Sequence, residues 1–218
     1  MTNKLPTYCI NLKRRTDRKA DISQMFIKHR QFLDIKFVNA IDGRDLTYHP
    51  HALGTNNKYA CLRSHIKALE KIKFDGCEIA LVCEDDIVLC DDFYYRFDSM
   101  YGKTPIDWNM LYLGCFDTKT IPPAKVNGTE IVKLEKHQVG AFAYIVNKWS
   151  IDRLIAILKA EKTFTDNAYA DAREGENSIN AYCFYPFMCY VKSDYSDTSE
   201  AIVNYDDYIK KHFENILF

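Results

Sequence analysis

The sequence predicts an α/β fold, and three features of the chain point to it. It opens with a β-α-β pattern ending at Asn39-Ala-Ile-Asp-Gly43. The uninterrupted apolar run Ile79-Ala-Leu-Val-Cys83 has the composition of a strand covered on both faces, as in the parallel core of such sheets. Polar clusters follow Leu12, Val38 and Cys83, and open α/β sheets bind ligands in the crevice beyond the carboxyl ends of their strands. One shared crevice is the economical expectation.

In order along the chain, Thr7-Tyr-Cys-Ile-Asn-Leu12 reads as a strand that runs into the charged stretch Lys13-Arg-Arg-Thr-Asp-Arg-Lys19. From Asp17, the apolar positions Ile22, Met25 and Phe26 predict a helix, and Ile35-Lys-Phe-Val38 a second strand. Residues 49–57 have loop composition. Tyr59, Leu62, Ile66, Leu69 and Ile72 then recur at helical spacing, predicting a helix over 58–73. After the strand at 79–83 come a helix at 93–100, a strand at 110–114 and a loop over 117–128, which contains Pro122-Pro123. Strands at 131–134 and 140–146 follow. Ser150 is placed to cap a helix with apolar face Ile151, Leu154, Ile155 and Leu158. Ala168 to Ala172 can be helical, Tyr182-Cys-Phe-Tyr-Pro-Phe-Met-Cys-Tyr190 reads as one aromatic strand, and an amphipathic tail begins at Tyr205. Without a repeat or linker, the expectation is a single domain over 1–218.

Twenty-nine basic residues against 30 acidic leave a formal charge of −1. No global field draws such a chain onto nucleic acid or anionic lipid, so any anionic ligand must be held locally. The longest apolar stretches fall well short of the ~20 residues of a membrane helix. The 8 cysteines contain no Cys-x-x-Cys pair, which is poor zinc-ligand spacing, and reduced buried thiols are expected over disulfides. The chain opens Met-Thr-Asn-Lys-Leu-Pro, without a basic head or long apolar segment. The expected location is cytoplasmic, with a secretory lumen as the alternative for a trimmed chain.

Chemistry concentrates at Glu84-Asp85-Asp86. In an extended chain, Glu84 and Asp86 face one side and Asp85 the other. Two like charges about 4 Å apart repel by ~4 kcal/mol at an effective dielectric near 20, against ~1 kcal/mol in water. The triplet is therefore either a solvated turn or the seat of a cation. Oxygen ligands with no Cys or His nearby favour Mg²⁺ or Mn²⁺ over zinc.

Eight motifs in order give the sequence a family resemblance: Tyr8-Cys-Ile-Asn-Leu-Lys-Arg-Arg-Thr-Asp-Arg18, Asn39-Ala-Ile-Asp-Gly43, Cys61-Leu-Arg-Ser-His65, Leu81-Val-Cys-Glu-Asp-Asp86, Asp107-Trp-Asn-Met-Leu-Tyr-Leu-Gly114, Phe142-Ala-Tyr-Ile-Val146, Phe164-Thr-Asp166 and Ser196-Asp-Thr198. The chain resembles glycosyltransferase family 25, which contains lipopolysaccharide and procollagen galactosyltransferases. The resemblance implies a GT-A type, Rossmann-like nucleotide-sugar domain with a mostly parallel mixed sheet. It also implies inverting transfer of a sugar, galactose foremost, from a UDP-sugar donor to a glycan or a collagen-like protein acceptor, with Mn²⁺ or Mg²⁺ as cofactor. Neither a nucleic-acid partner nor a membrane span is expected.

Carried over by position, Glu84 and Asp86 become the metal-facing pair, Asp194 a further ligand, and Asp85 either a helper at the metal or a bond to the donor ribose. Asn11, Arg14, Asp17, Arg18, Asp42, Gly43, Ser64, His65 and Asp197 are the remaining donor-side candidates. Each has a plainer reading: Asp17 as a helix cap, Asp42 and Gly43 as a turn, His65 as a packed core histidine, Asp197 as a surface loop. Asp166 is the candidate base for the acceptor hydroxyl, against a helix-capping reading, and Asp171 is its reserve. Where the family carries Gly-Glu-Leu-Gly-Cys this chain has Asn57-Lys-Tyr-Ala-Cys61, with Lys58 in place of the acid. The competing classes are a domain of the same shape that binds nucleotide-sugar without turnover and a two-metal phosphoesterase.

Overall fold

A computed structural model describes residues 4–47, 55–117, 131–160 and 162–213. The elements are β1 (Leu5–Asn11), α1 (Thr16–His29), β2 (Leu33–Asn39), α2 (Asn56–Asp75), β3 (Ile79–Glu84), β4 (Ile87–Leu89), α3 (Phe93–Tyr101), β5 (Met110–Tyr112), β6 (Phe116–Asp117), β7 (Ile131–Lys133), β8 (Gln138–Val139), β9 (Ala143–Asn147), α4 (Ile151–Lys159), α5 (Thr165–Asp171), β10 (Ala181–Phe184), β11 (Cys189–Val191), β12 (Asp194–Ser196), β13 (Ala201–Val203) and α6 (Asp206–Phe213). Most of the predicted loop at 49–57 and nearly all of that at 117–128 lie outside the described residues.

The α/β class and the mostly parallel mixed sheet are both present. Seven strands lie in the order β2-β1-β3-β9-β5-β10-β7. Strand β1 pairs in parallel with β2 and β3, and β5 with β10, while β9 and β7 run antiparallel to their neighbours. The register sets Asn11 beside Asn39 and Ile10 beside Glu84. The loops leaving β1, β2 and β3 therefore emerge side by side on one edge, the crevice expected from sequence. Burial explains the composition of the central strand, since Leu81, Val82 and Cys83 are wholly enclosed.

Helix α2 buries Leu62, His65, Ile66, Leu69 and Ile72 on one stripe. Its N-terminus is capped by Thr55 Oγ1, which accepts from the Lys58 N–H at 3.3 Å, and it ends at Gly76 in the left-handed region, φ 69°. The turn Gly43–Asp45 packs against the start of this helix so closely that a Cβ on Gly43 would lie 2.1 Å from Asn57 Oδ1 and 2.8 Å from the Asn57 backbone. A glycine is required there by approach distance.

Three local expectations are corrected. Ser150 occupies the position before α4 but makes no side-chain cap; its hydroxyl accepts from Asn109 Nδ2 at 3.0 Å, while Asn147 Oδ1 accepts from the Ser150 N–H. The aromatic run at 182–190 is two strands, β10 and β11, separated around Pro186, which has no N–H to give a ladder. The alternating-face rule holds only as far as Glu84, because Asp85 and Asp86 form the turn between β3 and β4. All eight cysteines are free thiols, six of them buried. No helix among the described residues is long and apolar enough to cross a membrane.

Candidate active site

Two adjoining cavities open beyond the carboxyl ends of β1, β2 and β3. The first is lined by Arg14, Ile41, Asp42, Gly43, Asp85 and Asp197 among others, the second by Phe116, Gly140, Phe142, Phe164, Asp166 and Tyr205. Arg18, Cys61, Glu84 and Asp86 belong to both walls, as do Ser196 and Thr198. The acidic triplet thus stands where the two cavities meet.

One group of acids is held by arginines. Arg14 Nε donates to Asp42 at 2.6 Å and its Nη1 lies 2.8 Å from Asp197. Arg15 donates to Asp197 at 2.6 Å and forks onto Asp17 at 2.8–3.1 Å. Burial works to raise the Asp42 carboxyl, but the Arg44 N–H and the Arg14 guanidinium outweigh it and hold it below the usual range. Asp17 is held at about 2 by the Arg15 fork and by backbone N–H groups, and lies on the exposed first turn of α1. Arg15 and Arg18 also approach Asp194, each at 3.8 Å, and Arg18 Nη2 donates to the Tyr195 carbonyl. The hairpin of β12 and β13 is thereby strapped over the crevice, and Asn57 Nδ2 adds a bond to Glu200 at 2.9 Å.

Beneath the strap, Arg18 Nη1 bridges Asp85 at 3.1 Å and Asp86 at 2.9 Å. Asn11 donates to the other Asp85 oxygen at 2.6 Å. Asn11 is buried and reaches the crevice only through Asp85. Asp86 Oδ1 and Arg18 Nε are buried without hydrogen-bond partners. Burial, reinforced by the neighbouring acids, pushes Glu84 up to about 8 and Asp86 up to about 7. This is the behaviour of neighbouring carboxylates partly withdrawn from water.

Glu84 rests on His65, whose Nε2 lies 3.2 Å away and whose Nδ1 meets the Tyr144 hydroxyl at 3.0 Å. Burial lowers His65 to about 4, so its imidazole is neutral. Ser64 sits in the cavity floor with its hydroxyl already engaged, donating to the Ala60 carbonyl at 2.7 Å and accepting from the Ile41 N–H at 2.9 Å. Its place is a brace between α2 and the β2 loop. Cys61 Sγ lies 3.9 Å from Glu84 Oε1, so the expectation of an acidic triplet with no Cys or His nearby is overturned. Residues at 61 and 65 are one helical turn apart on α2, and that helix packs behind β3.

Asp166 lies in the first turn of α5 but caps nothing there; its Oδ1 accepts from the Ala141 N–H at 2.7 Å, across the second cavity's wall. Burial raises its carboxyl above the usual range. Asp171 is exposed and paired with Lys136 at 3.1 Å, away from both cavities.

The sequence matches the family model described as Glycosyltransferase family 25 (LPS biosynthesis protein) over residues 4–169. The chain belongs to glycosyltransferase family 25. Over 169 residues this family 25 chain is 28% identical to a procollagen lysyl hydroxylase and glycosyltransferase of Acanthamoeba polyphaga mimivirus, covering 64% of this chain and 18% of that protein. It is 23% identical over 176 residues to procollagen galactosyltransferase 1 of Danio rerio, covering 71% of this chain and 27% of that protein. The chain spans only that minor share of either relative's length. A glycosyltransferase involved in the glycosylation of the major capsid of PBCV-1 superposes with a TM-score of 0.43 at 11% identity, over 72% of this chain and 66% of that one. S. aureus TarS 1–349, solved with UDP-GlcNAc, gives 0.41 at 11% identity, over 99% of this chain and 68% of that one.

Arg15 was not singled out by sequence, although it bonds Asp17 and Asp197 and approaches Asp194. Its signal was present in the basic run after β1, but the partner is 182 residues away. Cys61 stood in a recognised motif without a role, and its proximity to Glu84 is a tertiary fact.

Proposed function

We propose that this domain transfers a sugar, galactose by preference, from a UDP-sugar to a hydroxyl of a glycan or of hydroxylysine in a collagen-type protein, with inversion at the anomeric carbon. The observation that carries this reading is the meeting of two cavities at Glu84 and Asp86. A transferase needs donor and acceptor on opposite sides of one reacting carbon, and here the acids stand at the junction. Family membership and the procollagen glycosyltransferase names of the two relatives support the donor and acceptor classes.

In this account the first cavity takes the donor. Asp42 and Gly43 border the nucleoside, Asp85, held by Asn11 and Arg18, offers a carboxylate to the ribose, and Arg14 and Arg18 supply forked donors to the diphosphate. Asp197 holds the strap that covers it. The second cavity takes the acceptor, and Asp166 receives the proton of its attacking hydroxyl. A carboxylate raised by burial is a stronger base than one in water, and the Ala141 N–H fixes its direction.

Glu84 and Asp86 fit a divalent cation of the Mn²⁺ or Mg²⁺ type. Asp86 Oδ1 is a buried acceptor with no partner, the Glu84 charge adds to burial in raising the Asp86 carboxyl, and Asp194 borders the same cavity. Such an ion supplies charge neutralisation to the diphosphate of the departing UDP. The test is a screen of UDP-sugars for UDP release with and without Mn²⁺. Release from one donor, stimulated by acceptor, is expected; Mn²⁺-dependent UDP binding with no release from any donor would mean a non-catalytic binding domain.

A further inference from the structure

We infer that Cys61, His65 and Glu84 form a binding site for a thiophilic divalent cation of the zinc type, distinct from the oxygen-lined position at Asp86 and sharing only Glu84 with it. Among the described residues these three are the group of His, Cys and acidic side chains whose ligand atoms converge, all within 4.8 Å of one another. With Zn–S near 2.3 Å and Zn–N and Zn–O near 2.0–2.2 Å, the edges between ligands of a tetrahedral ion are about 3.4–3.6 Å. His65 Nε2 to Glu84 Oε1 is 3.2 Å and Cys61 Sγ to Glu84 Oε1 is 3.9 Å. Shifts of a few tenths of an ångström bring these two edges to the required length, and the third, between Cys61 and His65 and within 4.8 Å, closes by rotation of the two side chains on α2.

The surroundings favour an ion as well. Cys61 and His65 are four residues apart on one face of α2, a rigid base for two ligands, and Glu84 closes the triangle from the end of β3. The Tyr144 hydroxyl holds His65 Nδ1 at 3.0 Å, the kind of outer bond that orients a ligating imidazole and frees Nε2 for the metal. Cys61 and Glu84 line both cavities, so an ion has an entry path. On binding, the Cys61 thiol gives its proton to solvent and the sulfur ligates as thiolate. The consequence for turnover rests on the proposed function: zinc here takes Glu84, and so opposes manganese.

Binding itself is tested without any sugar transfer, by titrating the reduced full chain with Co²⁺ alone and following the near-ultraviolet thiolate-to-cobalt band. One equivalent should build the band and one equivalent of Zn²⁺ should erase it. Cys61→Ser should abolish it, and His65→Gln should weaken Co²⁺ binding by about 10-fold or more. Cys77→Ser and Asp86→Ala should leave it in place. Absence of a band in the unaltered protein, its survival in a folded Cys61→Ser variant, or its loss in Asp86→Ala would each overturn the assignment. Because no donor or acceptor is present, this outcome is independent of whether the sugar-transfer reading stands.

Discussion

The rim and the floor of the crevice use the same residue types to opposite ends. On the rim, Asp17, Asp42 and Asp197 are each met by a guanidinium at 2.6–3.1 Å, and two of them have carboxyls held below the ordinary range. On the floor stand Glu84, Asp86 and Asp166: Glu84 feels the charges of Asp166 and Asp85, and Asp86 feels that of Glu84, with one guanidinium shared between Asp85 and Asp86 and one buried oxygen unpartnered. All three floor carboxyls are raised by burial. The difference separates acids spent on holding the fold from acids that, on the proposed function, are available for chemistry. A satisfied carboxylate is a strap, and a frustrated one attracts a cation or a proton.

Four substitutions can break or sharpen that contrast. The largest effect belongs to the floor: Asp166→Asn should cut transfer by ~10³-fold while leaving UDP affinity intact, as expected for loss of a general base. Equal loss of UDP binding, measured by calorimetry, would make Asp166 a structural residue instead. Asp86→Ala should lower turnover by ~10²-fold, about 3 kcal/mol of transition-state stabilisation, and abolish Mn²⁺ stimulation. On the rim, Asp197→Asn should act on the hairpin, costing about 1–3 kcal/mol in urea unfolding and speeding proteolytic nicking between β12 and β13. Its kcat should change less than that of either floor variant.

The smallest effect is a control far from the crevice. Asp75 accepts from the Tyr8 hydroxyl at 2.6 Å and from Lys36 at 2.9 Å, and these bonds hold it at about 2. Its folded value lies below the unfolded one, so its contribution to stability is present above pH ~4 and disappears as pH falls through about 2. Asp75→Asn should therefore cost about 1 kcal/mol at neutral pH, with the gap to the unaltered protein closing on acidification. A gap that widens toward low pH would contradict the assignment.

What the sequence made legible was local or periodic. The β3 run ending in acids, the helical stripe at 59–72 and the parallel edge that gathers the loops after Leu12, Val38 and Cys83 are all where pattern placed them. What it hid depends on distance in the chain. Arg15 finds Asp197 only after the C-terminal hairpin folds back, and Cys61 meets Glu84 only because α2 packs behind β3. Face alternation misled at Asp85, since a turn replaces the extended chain and one guanidinium gathers both aspartates. Ser64 lines the crevice and Asn11 lies buried behind it, and their polar atoms are spent on the Ala60 and Ile41 backbone and on Asp85. Side-chain satisfaction of that kind is invisible to motif reading.

The decisive measurement is the position of manganese when UDP is present. Crystals soaked with both should show an anomalous peak bonded to carboxylate oxygens of Asp86 and Glu84 and to the diphosphate, with uridine toward Asp42. UDP bound with its manganese elsewhere in the molecule, or bound tightly without any, would contradict the claim that the frustrated acids of the floor are the catalytic ones.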